Sequence, residues 1–513
     1  MNSYWNRRTM LHSLGAATLA ASHFPLRGLL PRVSAQETQL SPALVSLDSG
    51  IEPLVELIEQ TDRSALLEVI ADRVAKGLAY QQLLAALLLA GVRNVQPRPS
   101  VGFKFHSVLV VNSAHLASLA SSSEDRWLPI FWALDYFKKT QLEEERQSGW
   151  KLRPVPESHV PSATQARAAF IAAMDKWDAE AADVAIAGLA RTAGANELFE
   201  LFCRYGARDY RSIGHKAIYV ANSFRTLQCI GWQHAEPVLR SLAYALQNHG
   251  DEDNPAHSDH AADRPWRQNL ELLGQIPDSW QDGGADERLS RQMIHAFRDE
   301  SGQAMAQQAV ALLQQGAGAQ TIWDAVLLAS GELLMQQPGI IGLHSLTTAN
   351  ALRYAYQTSG DNATRQMLLL QACAFLPMFR QSAAARGQLA ARTIDQLTHS
   401  EANNNSSQAD SPEALSKIFD TLNDDSLQAA ELLLGYLRAG GSANDVLQQA
   451  RRLIFLKGKD AHDYKFSSAV LEDYHHVSRP LRQEFLALSV FNLRGTGDSD
   501  NGLVSRIRGA LAV

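Results

Sequence analysis

Four histidines recur at equivalent positions of similar sequence segments in this 513-residue chain. Each follows an apolar segment and a break that contains Pro or Gly, and each begins a second apolar segment. In three of these segments an Asn follows the His at a similar distance. Asn112 and Asn350 lie six residues after their His, and Asn222 lies seven residues after its His. The four histidines are His106, His215, His344 and His462. The pattern indicates a repeat that places one His at the start of an inner helix.

Imidazoles that converge on one pocket would bind a borderline transition metal. Iron, zinc, copper and nickel accept neutral nitrogen ligands, whereas magnesium and calcium prefer oxygen. If the repeats curl into a closed bundle, the four histidines become metal ligands; taken singly, each could be a buried side chain bound to a backbone carbonyl. His115 is a fifth candidate ligand. It lies nine residues after His106, on nearly the opposite side of a helix. It can therefore be a ligand only if that helix is interrupted. In an uninterrupted helix it would instead contact the ligands or the substrate.

Lys465 is an unusual residue to find beside a metal-binding histidine. It lies three residues after His462, so the two share one face of a helix. An ammonium ion would repel a metal, but burial lowers the pKa of a Lys and leaves a neutral amine. A neutral amine reacts with carbon dioxide to give a carbamate, which is an anionic oxygen ligand. The alternative is that Lys465 is solvated or pairs with Asp463 or Glu472.

The elements that must position these residues are helices. Apolar residues recur at helical spacing in long Ala- and Leu-rich segments. These segments are 65–89, 166–193, 293–315, 321–334, 350–379 and 426–456. Alternation typical of a strand occurs only at 107–111, where a helix fits equally well. We predict an all-α fold, a helical-repeat array or a toroid-like bundle of antiparallel helix pairs around a central pocket. It forms one domain over 36–513, with mobile loops near 249–265 and 400–412.

Composition excludes several classes of protein. The chain is 46% hydrophobic and 20% charged, so it can bury a sizeable core and is not disordered as a whole. Its net charge of −7 argues against a nucleic-acid partner, which would require a basic face. Three Cys exclude a disulfide scaffold. There is no P-loop, no H-E-x-x-H, no G-x-S-x-G and no G-x-G-x-x-G after a strand, so the common nucleotide and hydrolase motifs are absent from the sequence.

The first 35 residues have the features of an export signal. Arg7 and Arg8 begin a motif that resembles the twin-arginine signal, a Gly- and Ala-rich segment follows, and 33–35 is a small-residue cleavage site. We therefore expect the twin-arginine translocase as a partner during export, a periplasmic location, and removal of 1–35. No later segment reaches about 18 uncharged apolar residues, so no membrane-spanning helix is expected after cleavage.

The segments around the four histidines resemble the questin oxidase-like family. They are HDYKF at 462–466, GLHSLTTANALR at 342–353, GHKAIYVANS at 214–223 and FHSVLVVNSAHLASL at 105–119. The resemblance extends over 83–477 in scattered blocks. Members are all-α enzymes that oxidise anthraquinone-type polyketides, and one activity assigned in the family opens the ring of questin with a reduced nicotinamide as reductant.

The resemblance also implies a metal centre. A relative is similar to a dioxygenase that cleaves an anthraquinone ring, with non-haem iron held by four His and a carboxylated Lys. By this resemblance the ligands here would be the four repeat histidines and Lys465. The first motif has fewer histidines than is usual in the family, which leaves the choice between His106 and His115 open. NADPH is implied by the family, but the periplasm has no ready pool of it, and a dioxygenase would need no such reductant.

Two arginines complete the candidate catalytic residues, together with Lys465. Arg225 and Arg353 lie three residues after an Asn at matching repeat positions. They could pair with a substrate phenolate or a buried carboxylate, and a helix-to-helix salt bridge is the structural alternative. The resulting expectation is an exported metal-dependent oxidoreductase that oxidises or cleaves a small aromatic, polyketide- or quinone-like substrate with dioxygen. The alternatives are a non-catalytic α-helical repeat protein that binds or scaffolds partners in the cell envelope, and a zinc hydrolase.

Overall fold

The computed structural model is all-α, as the sequence predicts. It describes residues 45, 47–48, 50–97, 104–247, 253–398 and 411–512. In these residues there are 23 α-helices and no β-strand. Residues 107–111, the one segment with strand-like alternation, lie inside a helix. The predicted signal at 1–35 lies outside the described residues.

Parts of the two predicted mobile loops also lie outside the described residues, namely 249–252 and 400–410. Residues 253–263 are described and form turns that lead into a helix. The α-helices are, in chain order, α1 Glu52–Gln60, α2 Arg63–Ala75, α3 Tyr80–Asn94, α4 His106–Leu119, α5 Leu128–Gln147, α6 Ala163–Lys176, α7 Ala179–Ala190, α8 Ala195–Gly206, α9 His215–Ile230, α10 Ala235–Gln247, α11 Arg264–Leu273, α12 Glu287–Phe297, α13 Gly302–Gln314, α14 Ala319–Gln336, α15 Ile340–Thr358, α16 Asn362–Ala384, α17 Ile394–Thr398, α18 Pro412–Thr421, α19 Ser426–Arg438, α20 Ala443–Lys457, α21 Ala461–His476, α22 Arg479–Ser489 and α23 Leu503–Leu511. Short 3-10 turns occur at Glu157–His159, Arg211–Gly214, Trp232–His234 and Val490–Asn492.

Four helices form a ring at the centre of the molecule. Helix α4 packs on α9 and α21, and α15 packs on the same two helices, so the ring is closed. Each of the four also packs on the helix that precedes it in the chain, which is α3, α8, α14 or α20. The centre of the fold therefore consists of four inner helices, each packed on the helix that precedes it, as the repeated sequence pattern indicates.

The distribution of apolar residues explains which helices are inner. Helix α4 is buried on all sides, since nearly all of its residues from His106 to Ser118 are inaccessible to solvent. Helix α12 is amphipathic and buries only one stripe, with Met293, Ile294 and Phe297 facing the core. A helix that is apolar all round is stable only in an interior, whereas an amphipathic helix belongs at the surface. None of the described helices has the length and apolar character needed to cross a membrane.

Candidate metal centre

The four inner helices bring their histidines together. His106 and His215 are the first residues of α4 and α9, and His462 is the second residue of α21. His344 is the fifth residue of α15. The Nε2 atom of His215 lies 3.2 Å from Nε2 of His106 and 3.1 Å from Nε2 of His344. The ring centre of His462 lies 4.6 Å from that of His106 and 5.3 Å from that of His344, which closes the cluster.

Backbone hydrogen bonds fix the tautomers of two of these histidines. Nδ1 of His215 lies 2.6 Å from the carbonyl oxygen of Ser212, and Nδ1 of His344 lies 2.6 Å from that of Ile340. A neutral imidazole that donates through Nδ1 carries a lone pair on Nε2. The two Nε2 lone pairs therefore face each other at 3.1 Å. This contact is repulsive unless a cation binds both nitrogens.

The nitrogen positions suit a metal ion. Ligand nitrogens held at about 2.0–2.1 Å from one ion lie roughly 3.0–3.4 Å from each other, depending on the coordination geometry. The observed Nε2 separations of 3.1 and 3.2 Å fall in that range. One ligand atom each from His106, His215 and His344 lies within 4.8 Å of the others, and all three residues are buried. This group can hold a metal ion.

Burial keeps the histidines neutral, which is the form that binds a metal. Burial and the nearby charge of Lys465 together lower the pKa of His215 to about 3. The pKa values of His106 and His344 are also well below the ordinary value for the same two reasons, and His215 adds to the effect at both. Burial lowers the pKa of His462 as well, against the opposing charge of Asp460.

Lys465 is buried beside the histidines and lacks a partner. Its Nζ makes no hydrogen bond with any described residue, and its side chain is 2% exposed. Burial lowers the pKa of this amine to about 7. Asp463 accepts hydrogen bonds from Arg494 instead, at 2.6 Å, and Glu472 pairs with Arg225 at 2.7 Å. The two carboxylates considered as alternative partners of Lys465 are therefore engaged elsewhere.

A strained turn positions His215. Ser212, Ile213 and Gly214 all have a positive φ, of 60°, 48° and 79°. This conformation is costly for a β-branched residue such as Ile, and such strain often accompanies functional sites. It aims the Ser212 carbonyl at Nδ1 of His215. A Cβ on Gly214 would lie 2.0 Å from Oγ1 of Thr348, so no larger residue fits where α9 meets α15.

Asp460 positions His462 and was not foreseen from the sequence. Its carboxylate caps α21 by accepting from the backbone N–H groups of His462 and Asp463, and Asp463 reciprocates toward Lys459 and Asp460. The same carboxylate lies 3.4 Å from Nδ1 of His462, where it orients the ring. The signal for this role is the D-x-x-D capping box that begins at Asp460.

His115 lies away from the cluster. Helix α4 continues without interruption from His106 to Leu119, so the condition for ligation by His115 is not met. Its Nδ1 lies 3.0 Å from the hydroxyl of Tyr80, and the two rings are in contact. Of the two residues considered for the first motif, the structure therefore places only His106 in the cluster.

The two candidate arginines lie toward the opposite end of the inner ring. They come nine or ten residues after the repeat histidines, about 14–15 Å along a helix. Arg225 donates to Glu472 at 2.7 Å and to Asn350 at 3.1 Å, and it joins three inner helices. Arg353 donates to Gln320 at 2.8 Å and lies 5.3 Å from the ring of Trp323. The contacts of Arg225 are those of a helix-to-helix salt bridge.

The geometry of this site is the basis on which its chemistry is assigned. Comparison with protein-family models, with curated protein sequences and with solved structures finds no match. What the site defines is thus a class: an all-α protein with a buried, histidine-lined position for a metal ion.

Proposed function

We propose that this protein is a non-haem iron oxidoreductase that oxidises or cleaves a small aromatic substrate with dioxygen. The observation that carries the proposal is the convergence of four histidines near the buried Lys465 amine, which has no hydrogen-bond partner among the described residues. Nitrogen donors of this kind suit iron among the borderline metals. The resemblance of the histidine segments to questin oxidase-like proteins supports iron over zinc, and it supports an aromatic substrate.

His106, His215, His344 and His462 would hold the ion. Four imidazoles supply no negative charge, and a divalent cation in a buried site needs compensation. Lys465 is the group that can supply it. Its neutral amine attacks the carbon of carbon dioxide and releases one proton, and the product is an N-carboxylate anion that binds through oxygen. A bound iron would supply one-electron chemistry toward dioxygen.

The residues around the site have roles of their own. The Ser212 and Ile340 carbonyls hold the tautomers of His215 and His344, so both present Nε2 to the ion without rearrangement. Asp460 orients His462 from the other side. The four histidine side chains are buried, and a buried site strengthens each of these interactions.

Metal analysis tests the proposal directly. Purified mature protein, His344→Ala and His115→Ala are compared by mass spectrometry for bound metal. We expect near-stoichiometric iron in the wild type and in His115→Ala, and loss of iron in His344→Ala. The reason is that the side chain of His344 belongs to the cluster and that of His115 does not. Stoichiometric zinc would favour a hydrolase. A folded wild type without metal would leave a non-catalytic repeat protein of the cell envelope.

Oxygen consumption tests the reaction class. A hydroxylated anthraquinone is added to the iron-loaded protein in an oxygen electrode, with and without NADPH. Consumption without NADPH supports a dioxygenase, whereas strict dependence on NADPH supports the oxidation with an external reductant that is assigned in the family. No consumption in either arm, with iron bound, contradicts the proposed activity.

We also propose that the protein is exported. The paired arginines and the small-residue site at 33–35 support the twin-arginine route. Replacing Arg7 and Arg8 together with Lys should leave the full-length chain in the cytoplasm, while the wild type is recovered in the periplasm in a shorter form. Export of the doubly substituted chain would contradict this route.

A further inference from the structure

A cavity lies between α4, α20 and α21, and none of the four repeat histidines lines it. Its volume is about 230 Å³. Since a water molecule occupies about 30 Å³, this cavity has room for a ligand on the order of ten non-hydrogen atoms. The inner wall is apolar, with Leu116, Phe455 and Leu471, and Ser467 adds a hydroxyl. Such a wall suits a small ring or a short hydrocarbon chain.

Positive charge lies at the mouth of this cavity. Arg451 is half-buried there and makes no hydrogen bond or ion pair with any described residue. Its neighbour Phe455 lies one turn further along α20, so the guanidinium and the aromatic ring share one helix face. His475 lines the same mouth, and burial, with the nearby charges of Arg482 and Arg451, lowers the pKa of its imidazole. A partly desolvated guanidinium without a carboxylate is unfavourable, and an anionic ligand would relieve it.

Glu472 also lines the cavity, but its charge is already compensated. Its Oε2 accepts from Arg225 at 2.7 Å and from Asn350 at 2.9 Å. Both donors lie on other inner helices and draw this carboxylate toward the ring. Arg451 is thus the cavity-lining cation that remains free to bind an anion.

We propose that this cavity binds a small apolar carboxylate, with its hydrocarbon part against Phe455 and Leu471 and its carboxylate on Arg451. Arginine binds a carboxylate through two parallel hydrogen bonds, which selects this anion over a neutral group of the same shape. The proposal does not depend on iron, since no candidate metal ligand lines the cavity.

Calorimetric titration with benzoate tests the proposal. The protein is treated with a chelator, so that benzoate cannot bind to a metal, and benzamide serves as the neutral isostere. We expect benzoate to bind at least about tenfold more tightly than benzamide, and Arg451→Gln to weaken benzoate binding by about ten- to a hundredfold. Circular dichroism checks that the variant is folded.

Two matched variants test whether benzoate binds in this cavity rather than elsewhere on the protein. Arg452→Gln removes the adjacent arginine, which approaches Asp125 at 3.7 Å instead, and should bind benzoate like the wild type. His344→Ala should also keep benzoate binding, whether or not the protein holds iron. Equal affinity for benzoate and benzamide, no binding of benzoate, or equal losses in Arg451→Gln and Arg452→Gln would overturn the proposal. Loss of binding in His344→Ala would place the ligand at the histidine cluster and overturn it too.

Discussion

The two ends of the inner ring are built from the same four helices but gather different kinds of groups. At the histidine end, imidazoles meet one another and an amine, and Lys465 makes no hydrogen bond within the described part of the chain. At the other end, opposite charges and amides meet: Asn350 donates to Glu472 at 2.9 Å and to Asp473 at 3.1 Å, and Arg225 donates to Glu472. At the far end Arg225 and Glu472 neutralise each other, whereas the histidine end gathers groups that repel one another unless something binds them.

Removing the metal should give the largest effect. An ion that binds only the folded chain stabilises it by about 4 kcal/mol when its free concentration is a thousand times the dissociation constant. A strong chelator should therefore lower the thermal midpoint of the wild type markedly in scanning calorimetry. His344→Ala, which lacks one ligand, should show little response to the chelator. An unchanged wild-type midpoint would mean that no stabilising ion binds at the histidine end, so that the two ends would not differ in this respect.

Lys465→Met should stabilise the metal-free protein in a buffer free of carbon dioxide. Burial lowers the pKa of Lys465 to about 7, whereas an unfolded Lys has a pKa of about 10.4. The unfolded chain therefore binds more protons between these pH values, and wild-type stability falls as the pH falls from 10.4 to 7. We expect a gain of up to about 4 kcal/mol at pH 7 that disappears above about pH 10.5, measured by urea unfolding.

A second buried lysine provides the control for that experiment. Lys216 is also fully buried, but its Nζ lies 2.7 Å from the carboxylate of Asp209. Lys216→Met would leave that carboxylate buried without its cation, so it should destabilise the protein at pH 7. If Lys465→Met were equally destabilising, Lys465 would have a structural partner and the histidine end would not differ from the far end.

Arg225→Met should weaken the far end and leave the histidine end intact. The substitution removes the cation that joins Glu472 to α9, and its stacking on Tyr354 at 4.1 Å. Because Glu472 is partly exposed, we expect a loss of only about 1 kcal/mol in the free energy of unfolding. Metal content by mass spectrometry should not change. A folded variant that has lost its metal would show instead that Arg225 acts on the centre.

The helices and the convergence of the histidines could be predicted because both depend on local pattern. Apolar spacing defines the helices, and the repeated position of His106, His215 and His344 places each within the first five residues of an inner helix. The role of Arg225 could not be decided, since its partner Glu472 is 247 residues away in the sequence. No local pattern reports a contact of that separation.

The strained turn before His215 and the cavity at Arg451 could not be predicted from the sequence either. An Ile at positive φ contradicts its own preference, and the close approach of Gly214 to Thr348 is a long-range contact that no local pattern reports. The cavity forms where α4 packs on α20 and α21, which lie more than 300 residues later in the chain. The location of His115, in contrast, could be predicted from its spacing. It lies nine residues after His106 on nearly the opposite side of the helix, and the uninterrupted helix α4 places it against Tyr80.

The smallest expected effect concerns Asp473. This carboxylate is buried, one of its oxygens has no hydrogen-bond partner, and burial together with nearby Glu472 raises its pKa well above the ordinary value. The folded chain thus binds this proton more tightly than the unfolded chain does. Its contribution to stability is complete below about pH 3.9 and is lost as the pH rises through the folded pKa.

Asp473→Asn cannot ionise, so its advantage over the wild type should be near zero at pH 4 and grow to about 1 kcal/mol at pH 8. Urea unfolding at both pH values measures it, and Glu472→Gln, which breaks the pair with Arg225, should be destabilising at pH 8 instead. A less stable Asp473→Asn at pH 8 would mean that the charged carboxylate is required there. The difference in free energy of unfolding between Asp473→Asn and the wild type can be measured in chelated and in metal-loaded protein. If it is the same in both, the two ends contribute independently to stability, because the effects of separate sites are additive.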